Sequence, residues 1–288
     1  MAIFLQSLIS GILIGGVYAL IGIGLTIIFG VMRIINFAHG DLLMLGMYAT
    51  YFLFSLLHID PFVSIVIIIP LMFLFGAFLQ TVFINRALNA LPQNQILLTI
   101  GMGLVMSNSI MLAFTSDYRI LSTTYSSSSV TVMGISISEP LVYSFIVTAA
   151  ITAVLYWFLY RTDMGQAVRA TAQDREAAQL MGINVKRMSV LAFGIGTALA
   201  GTAGALISPT YYIFPQVGSV FTLKAFVITV LGGMGSIFGA MLGGVLIGVA
   251  ESVGGVYLGS GWKDVIVFVL FLLVLLFKPS GLLGTSRD

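Results

Sequence analysis

Uninterrupted apolar runs constrain this chain more than any other feature. Residues 62–84 form 23 consecutive positions without a charged side chain, and a helix needs roughly 20 predominantly apolar residues to cross about 30 Å of hydrocarbon. The run does not alternate apolar with polar residues, as a strand of a membrane barrel does, so a helix is the way left to satisfy its backbone groups in lipid. Similar runs lie at residues 4–31, 42–57, 96–114, 141–160 and 189–208, in a glycine-broken stretch at 225–253, and at 265–277. They predict an all-α membrane protein, a polytopic bundle of about 8 transmembrane helices with a Gly-broken segment near the C-terminus. The last run is short for a crossing unless its helix starts near Tyr257.

Composition narrows the chemistry. With 59% hydrophobic and 8% charged residues and a mean hydropathy of +1.11, the chain lacks the polar surface a soluble domain of 288 residues needs. The absence of cysteine excludes disulfides and thiolate chemistry, and two histidines are too few for a metal site of their own. A net charge of +2 spread along the chain gives no basis for nucleic-acid binding. His-Glu-x-x-His, Gly-x-Ser-x-Gly and P-loop sequences do not occur, so a non-catalytic chain is expected. The first basic residue is Arg33, so the apolar start lacks the basic leader of a secretory signal and reads as mature structure.

Charge sets the expected sidedness. The connection at 161–188 carries Arg161, Arg169, Arg175, Lys186 and Arg187, five of the 12 basic residues, and by the positive-inside rule faces the cytoplasm. Counting back, Arg33 and Arg86 also fall inside, while the Ser/Thr-rich connection at 115–140 falls outside. Counting forward puts Lys278 and Arg287 outside, against the rule, unless the glycine-broken stretch adds a re-entrant piece or an extra crossing.

Within the cytoplasmic connection, Asp174 is a good N-cap, Glu176 sits in the first turn where the helix dipole favours a carboxylate, and Gly182 suits the C′ position. A helix this short is not stable alone in water. Its small face of Ala177 and Ala178 therefore packs either on a cytosolic partner or on the chain's own membrane helices.

Polar residues at the end of the first span allow two readings. Asn36, His39 and Asp41 lie beside Arg33, and polar groups at membrane depth usually face a bundle interior or an aqueous path. Alternatively they make a polar turn, with Asn36 and Asp41 capping two helices and His39 at headgroup level. Glu251 must be paired, protonated or at a helix end. Gly196, Ala200 and Gly204, like Gly235, Gly239 and Gly243, recur every four residues and offer smooth faces for close helix packing. The break at Gly232, Gly233 and Gly235 opens backbone to a cavity.

Two resemblances rest on these segments. Glu176-Ala177-Ala178, three residues, then Gly182 resembles the EAA loop by which permeases of bacterial ATP-binding-cassette importers engage their ATPase subunits, although the Ile-x-Leu-Pro element that usually follows is replaced by Leu191-Ala192-Phe193-Gly194-Ile195. Asn36-Phe37-Ala38-His39-Gly40-Asp41, the loop from Met164-Gly165 to Gly182-Ile183-Asn184, Leu231-Gly232-Gly233-Met234-Gly235-Ser236 and Lys278-Pro279-Ser280-Gly281-Leu282-Leu283-Gly284 resemble, in this order, the H-type permease of leucine-isoleucine-valine transport systems. Permeases for urea and short-chain amides share much of this pattern. The resemblance implies a single permease domain over residues 1–288 in the bacterial inner membrane, with a coupling loop at about 161–188 containing Arg169, Asp174, Arg175, Glu176, Ala177, Ala178 and Gly182. It implies as partners a second, related permease subunit, two cytoplasmic ATPase subunits that hold ATP and Mg, and an extracytoplasmic solute-binding protein. This chain itself would bind no cofactor. Asn36, His39, Asp41, Gly232, Gly233 and Gly235 would then line the translocation path. A secondary transporter or channel would need no docking loop, and an intramembrane enzyme using His39 and Asp41 would lack an oriented nucleophile.

Overall fold

The computed structural model describes residues 2–88, 90–132 and 135–284. In chain order they form α1 (Ala2–Met32), α2 (His39–Leu57) and α3 (Pro61–Leu79), the last continuing through a wider π-type turn (Gln80–Ile84) into α4 (Asn85–Ala87). Next come α5 (Pro92–Phe114), the strands β1 (Ser129–Val132) and β2 (Ile135–Ser138), α6 (Glu139–Arg161), α7 (Asp163–Gln173) and α8 (Arg175–Leu180). The chain ends in α9 (Val185–Ile207), α10 (Val217–Gly232), α11 (Ile237–Tyr257) and, after a 3₁₀ turn, α12 (Lys263–Phe277). Among the described residues, eight helical stretches are long and apolar enough to cross a membrane, and α10 is apolar but shorter.

Small residues bring the central helices together. α1 and α9 are mostly buried. α1 runs antiparallel to α11 along Gly11 and Gly15, where a methyl group would strike the backbone of Val249 and Val245. Gly196 lies against Gly24 and Ile28, and Gly204 against the Leu43 carbonyl, so α9 wedges between α1 and α2. Among the three glycines expected on α11, Gly239 and Gly243 pack on Gly232 and Ile228 of α10. Gly235 precedes the helix, at φ +92°, where a methyl group would meet nothing among the described residues within 4 Å, so it belongs to the turn and not to the packing face.

The glycine-broken stretch is two helices joined by a tight turn, and this settles the C-terminal side. α10 runs alongside α1, with the Thr229 hydroxyl donating to Gly22 O at 3.3 Å. α11 returns the other way, with Ser252 donating to Ser7 O at 2.8 Å. α12 then brings the chain back, and the amides of Leu282 and Leu283 bond to Leu231 O and Gly232 O. Arg33, Arg169 and Ser280 line one cavity, so the segment after Lys278 lies on the face that carries the basic connection. The glycine-broken stretch thus adds the extra passage, α10, that was the stated condition for Lys278 to share the basic face. Arg287 lies outside the described residues.

On the opposite face β1 and β2 form an antiparallel hairpin, Val130 opposite Ile137, in the connection read from sequence as merely Ser/Thr-rich. Their alternation of apolar and hydroxyl residues suits a half-buried ribbon. Tyr125 donates to Asp60 at 2.6 Å, and Asp60 also caps α3 by accepting from Phe62 N. Burial, and then this bond to Asp60, pushes the Tyr125 hydroxyl above its usual range. Arg119 pairs with Ile213 across the connections that follow α5 and α9 and lies 5.2 Å from the Tyr51 ring.

Candidate functional site

The basic connection folds into two helices, one more than the sequence suggested. α7 is capped by Thr162, which accepts from Gly165 N at 3.1 Å, and it buries Gly165, Val168 and Thr171. α8 is capped as expected. Asp174 accepts from the amides of Glu176 at 2.9 Å and Ala177 at 3.0 Å, and Gly182 ends the helix at φ +83°, the left-handed conformation that glycine enters without cost. Ala178 is only 4% exposed, covered by the chain itself, whereas Ala177 and Glu176 face outward. At the tip, Leu180 and Met181 are 89% and 83% exposed, a bare apolar end that sequence inspection missed because two apolar residues in a polar loop make no periodic pattern. Arg169 braces the arm, its Nε donating to Leu159 O at 2.9 Å and its guanidinium lying 4.1 Å from the Tyr160 ring centre. Arg175 is partly buried at the start of α8.

The second cluster lies deeper. After Met32 the chain leaves the helix at Arg33, a non-glycine residue at φ +59°, and turns back into the bundle. His39 is fully buried and its Nε2 donates to Ile21 O at 3.0 Å. Ile21 lies eleven residues before the end of α1, about 17 Å along it, so His39 sits within the bundle and not at headgroup level. Among the described residues its Nδ1 has no partner, and neither has the Nδ2 of buried Asn36. Asn36 Oδ1 accepts from Ala38 N at 3.1 Å, closing the turn. Two threonines clasp the segment: Phe37 N donates to Thr99 of α5 at 3.3 Å, and Thr222 of α10 donates to Phe37 O at 3.2 Å while accepting from Gly40 N at 3.0 Å. α2 and α10 thus begin side by side, with Gly40 against Gly218. Asp41 lies in the first turn of α2 between Gly103 and Gly218, which leave space for its carboxylate.

The glycine break is separate from this clasp. Gly232 packs on Gly239, and Gly233, at φ +102°, packs against Gly284. Gly235 opens onto a cavity of about 770 Å³ on the basic face, whose walls include Arg33, Arg169 and Ser236. The residues expected to line a path therefore form two groups, one inside the bundle and one at the cavity on the basic face.

Glu251 is neither free nor at a helix end. Lys224 of α10, placed just outside the apolar run by sequence, is 4% exposed, and its ammonium donates to both Glu251 oxygens, at 2.9 and 2.8 Å, and to the Tyr18 hydroxyl at 3.1 Å. This is the one ion pair among the described residues. All three ammonium hydrogens find acceptors, which a buried charge requires.

The family model described as branched-chain amino acid transport system / permease component matches residues 7–275. The high-affinity branched-chain amino acid transport system permease protein BraD of Pseudomonas aeruginosa is 36% identical over 299 residues, covering 98% of this chain and 96% of the relative. The corresponding protein LivH of Escherichia coli is 34% identical, with the same coverage of 98% and 96%. The same organism's LivM, also named as a permease of that system, is 31% identical over 45% of this chain and 30% of its own length. No solved structure matches the chain.

Proposed function

Because the chain belongs to the family of branched-chain amino acid transport system permease components, we propose that it is the membrane-spanning permease subunit of an ATP-binding-cassette importer that carries leucine, isoleucine or valine across the bacterial inner membrane. It works as one permease domain, paired with a second, related permease subunit. Two cytoplasmic ATPase subunits bind ATP and Mg and perform the hydrolysis, and an extracytoplasmic binding protein delivers the solute. The names of BraD, LivH and LivM support the solute class and the second permease.

The observation that carries the coupling role is the α7–α8 arm. Its tip, Leu180 and Met181, is bare, and two adjacent exposed apolar residues at the end of a capped helix suit insertion into a partner's groove. Its root shares a cavity with the α1 end and the α10–α11 turn. Closure of the ATPase pair would push α8, tilt α7 and shift the helix ends that line the mouth, a rigid-body switch of which side the path faces.

The test is leucine uptake by the complete transporter in proteoliposomes. Gly182→Pro forces φ to about −65°, where the native residue is at +83°. Uptake is expected to fall to background while ATP hydrolysis continues. Wild-type uptake in this variant, or full retention of the ATPase subunits by a Leu180→Asp/Met181→Asp chain, overturns the coupling role.

A further inference from the structure

The cavity of about 770 Å³ on the basic face carries charge that its own walls do not answer. Arg33 and Arg169 both line it, and among the described residues that line it none is acidic. Arg169 is fixed at the edge by its Nε bond to Leu159 O and its contact with the Tyr160 ring, and its terminal nitrogens have no partner among the described residues. The exposed Arg33 makes no side-chain hydrogen bond or ion pair with the described residues. Its backbone stands at φ +59°, which glycine or asparagine enters with less strain, so the turn by itself does not call for arginine. α11, a helix of 21 residues, begins at the same cavity with Ser236 and Ile237, and its N-terminal end adds to the positive field. Thr26, 1% exposed, also lines the cavity, six residues and about 9 Å inward of Met32. Its hydroxyl has no partner among the described residues, a buried polar atom that the protein's own groups leave unsatisfied.

The neighbouring aromatics set the depth of this cavity in the membrane. Tyr156, Trp157 and Tyr160, in the last turns of α6, are all exposed, and aromatic side chains with a polar tip collect at headgroup level. Tyr160 also lines the cavity, so its charged edge lies at that level. Phe238, exposed at the start of α11, meets Tyr156 edge-on at 5.8 Å, and α6 leaves most of its length uncovered. Inward of the arginines the walls turn apolar, with Ile27, Val31, Leu159 and Val230. Basic pockets between spanning helices on the cytoplasmic side suit the headgroups of acidic lipids. A free phosphate would match the arginines and leave the apolar walls unused. A zwitterionic lipid would bring a second cation to two that are already uncompensated. The positive-inside rule asks for basic residues in this connection, but not for two of them at one cavity without an acid.

We propose that this cavity is a binding site for an anionic phospholipid of the cytoplasmic leaflet, its phosphate held by Arg33 and Arg169 at the N-terminus of α11 and an acyl chain lying along the exposed aromatics of α6 and Phe238. The phosphate bridges the end of α1 to the root of the α7–α8 arm, two elements that the described side chains do not join by an ion pair. The seat of the arm thereby depends on the charge of the surrounding lipid. The proposal stands apart from the importer reading, because lipid preference is measurable whichever solute is carried.

The experiment uses the complete transporter, stripped of lipid in detergent and titrated with phosphatidylglycerol, phosphatidylcholine or glycerol phosphate, with bound molecules counted by native mass spectrometry. The wild type is expected to bind its first phosphatidylglycerol at a lower concentration than phosphatidylcholine, and glycerol phosphate is expected not to displace it. Arg33→Asn removes the charge with a side chain that suits the left-handed backbone. It should weaken that first binding roughly fivefold, the weight of one basic residue near an anionic surface, and Arg33→Lys should keep most of it. Ser280→Glu places a carboxylate in the same cavity and should weaken the binding at least as much. Equal affinity of the wild type for the two lipids overturns the proposal. So does a preference that survives Arg33→Asn and Ser280→Glu, which would be the general pull of a basic face on acidic lipid. Displacement by glycerol phosphate overturns the lipid as occupant and makes the cavity a site for free phosphate esters. Should Arg33→Asn prevent assembly, a wild-type preference in an assembled Ser280→Glu transporter overturns it equally.

Discussion

The α7–α8 arm and the segment at 33–41 both depart from the spanning helix, yet they are held in opposite ways. The arm is built from its own sequence: Thr162 and Asp174 cap its two helices and Gly182 stops the second, all within a few residues of the backbone they serve. The deep segment makes its defining bonds to Ile21, Thr99 and Thr222, up to 185 residues away in the chain. Local capping yields an element that can move as a unit. Tertiary clasping yields one that moves only when its neighbours do. A coupling arm needs the first property and a site at the meeting of three helices needs the second.

If that contrast holds, the largest loss should come from the ion pair that ties α10, one side of the clasp, to α11 and α1. Lys224→Met leaves Glu251 buried without its cation, and removing one partner of a buried pair costs about 3–5 kcal/mol. Thermal unfolding in detergent should show the loss, and Lys224→Met/Glu251→Met should recover most of it. A single variant as stable as the parent would mean that α10 is held by packing alone.

Next comes Gly40, the contact between α2 and α10. A methyl there meets the Gly218 carbonyl and the Thr222 amide, both backbone atoms that cannot step aside, so Gly40→Ala should cost about 1–3 kcal/mol or more. Gly101→Ala on α5 is the control, because the added methyl would meet nothing among the described residues within 4 Å and alanine favours a helix over glycine by about 0.5–1 kcal/mol. Equal melting temperatures for the two variants would show that the close approach at Gly40 is not tight in solution.

The same contrast explains what could be read from the residues alone. Apolar runs of about 20 residues announce their helices because lipid enforces backbone satisfaction within each segment. Asp174 and Gly182 announce α8 because capping is local. α7 escaped notice because it lies between polar residues, and its buried side, Gly165, Val168 and Thr171, needs the end of α6 to become visible. Lys224 escaped because a charge beside an apolar run looks like a boundary until Glu251 and Tyr18, 27 and 206 residues away, are brought to it. His39 and Asp41 were recognisable as polar groups near a helix end, but their depth depends on the chain turning back at Arg33, which no periodicity encodes.

The smallest effect is the sharpest test of locality. Asp174→Ala removes both bonds to the first-turn amides of α8, a loss of about 1 kcal/mol for an N-cap. α8 has six residues, too few to hold a helix without help, so the cost should appear there and nowhere else. Amide exchange in the complete transporter should speed up across Arg175–Leu180 while the unfolding midpoint of the bundle stays where it was. A lowered midpoint would mean that the arm is part of the cooperative core, and unchanged exchange would mean that a docked partner, and not Asp174, holds α8 in shape. Either result would move the arm toward the tertiary kind of element that the clasped segment exemplifies.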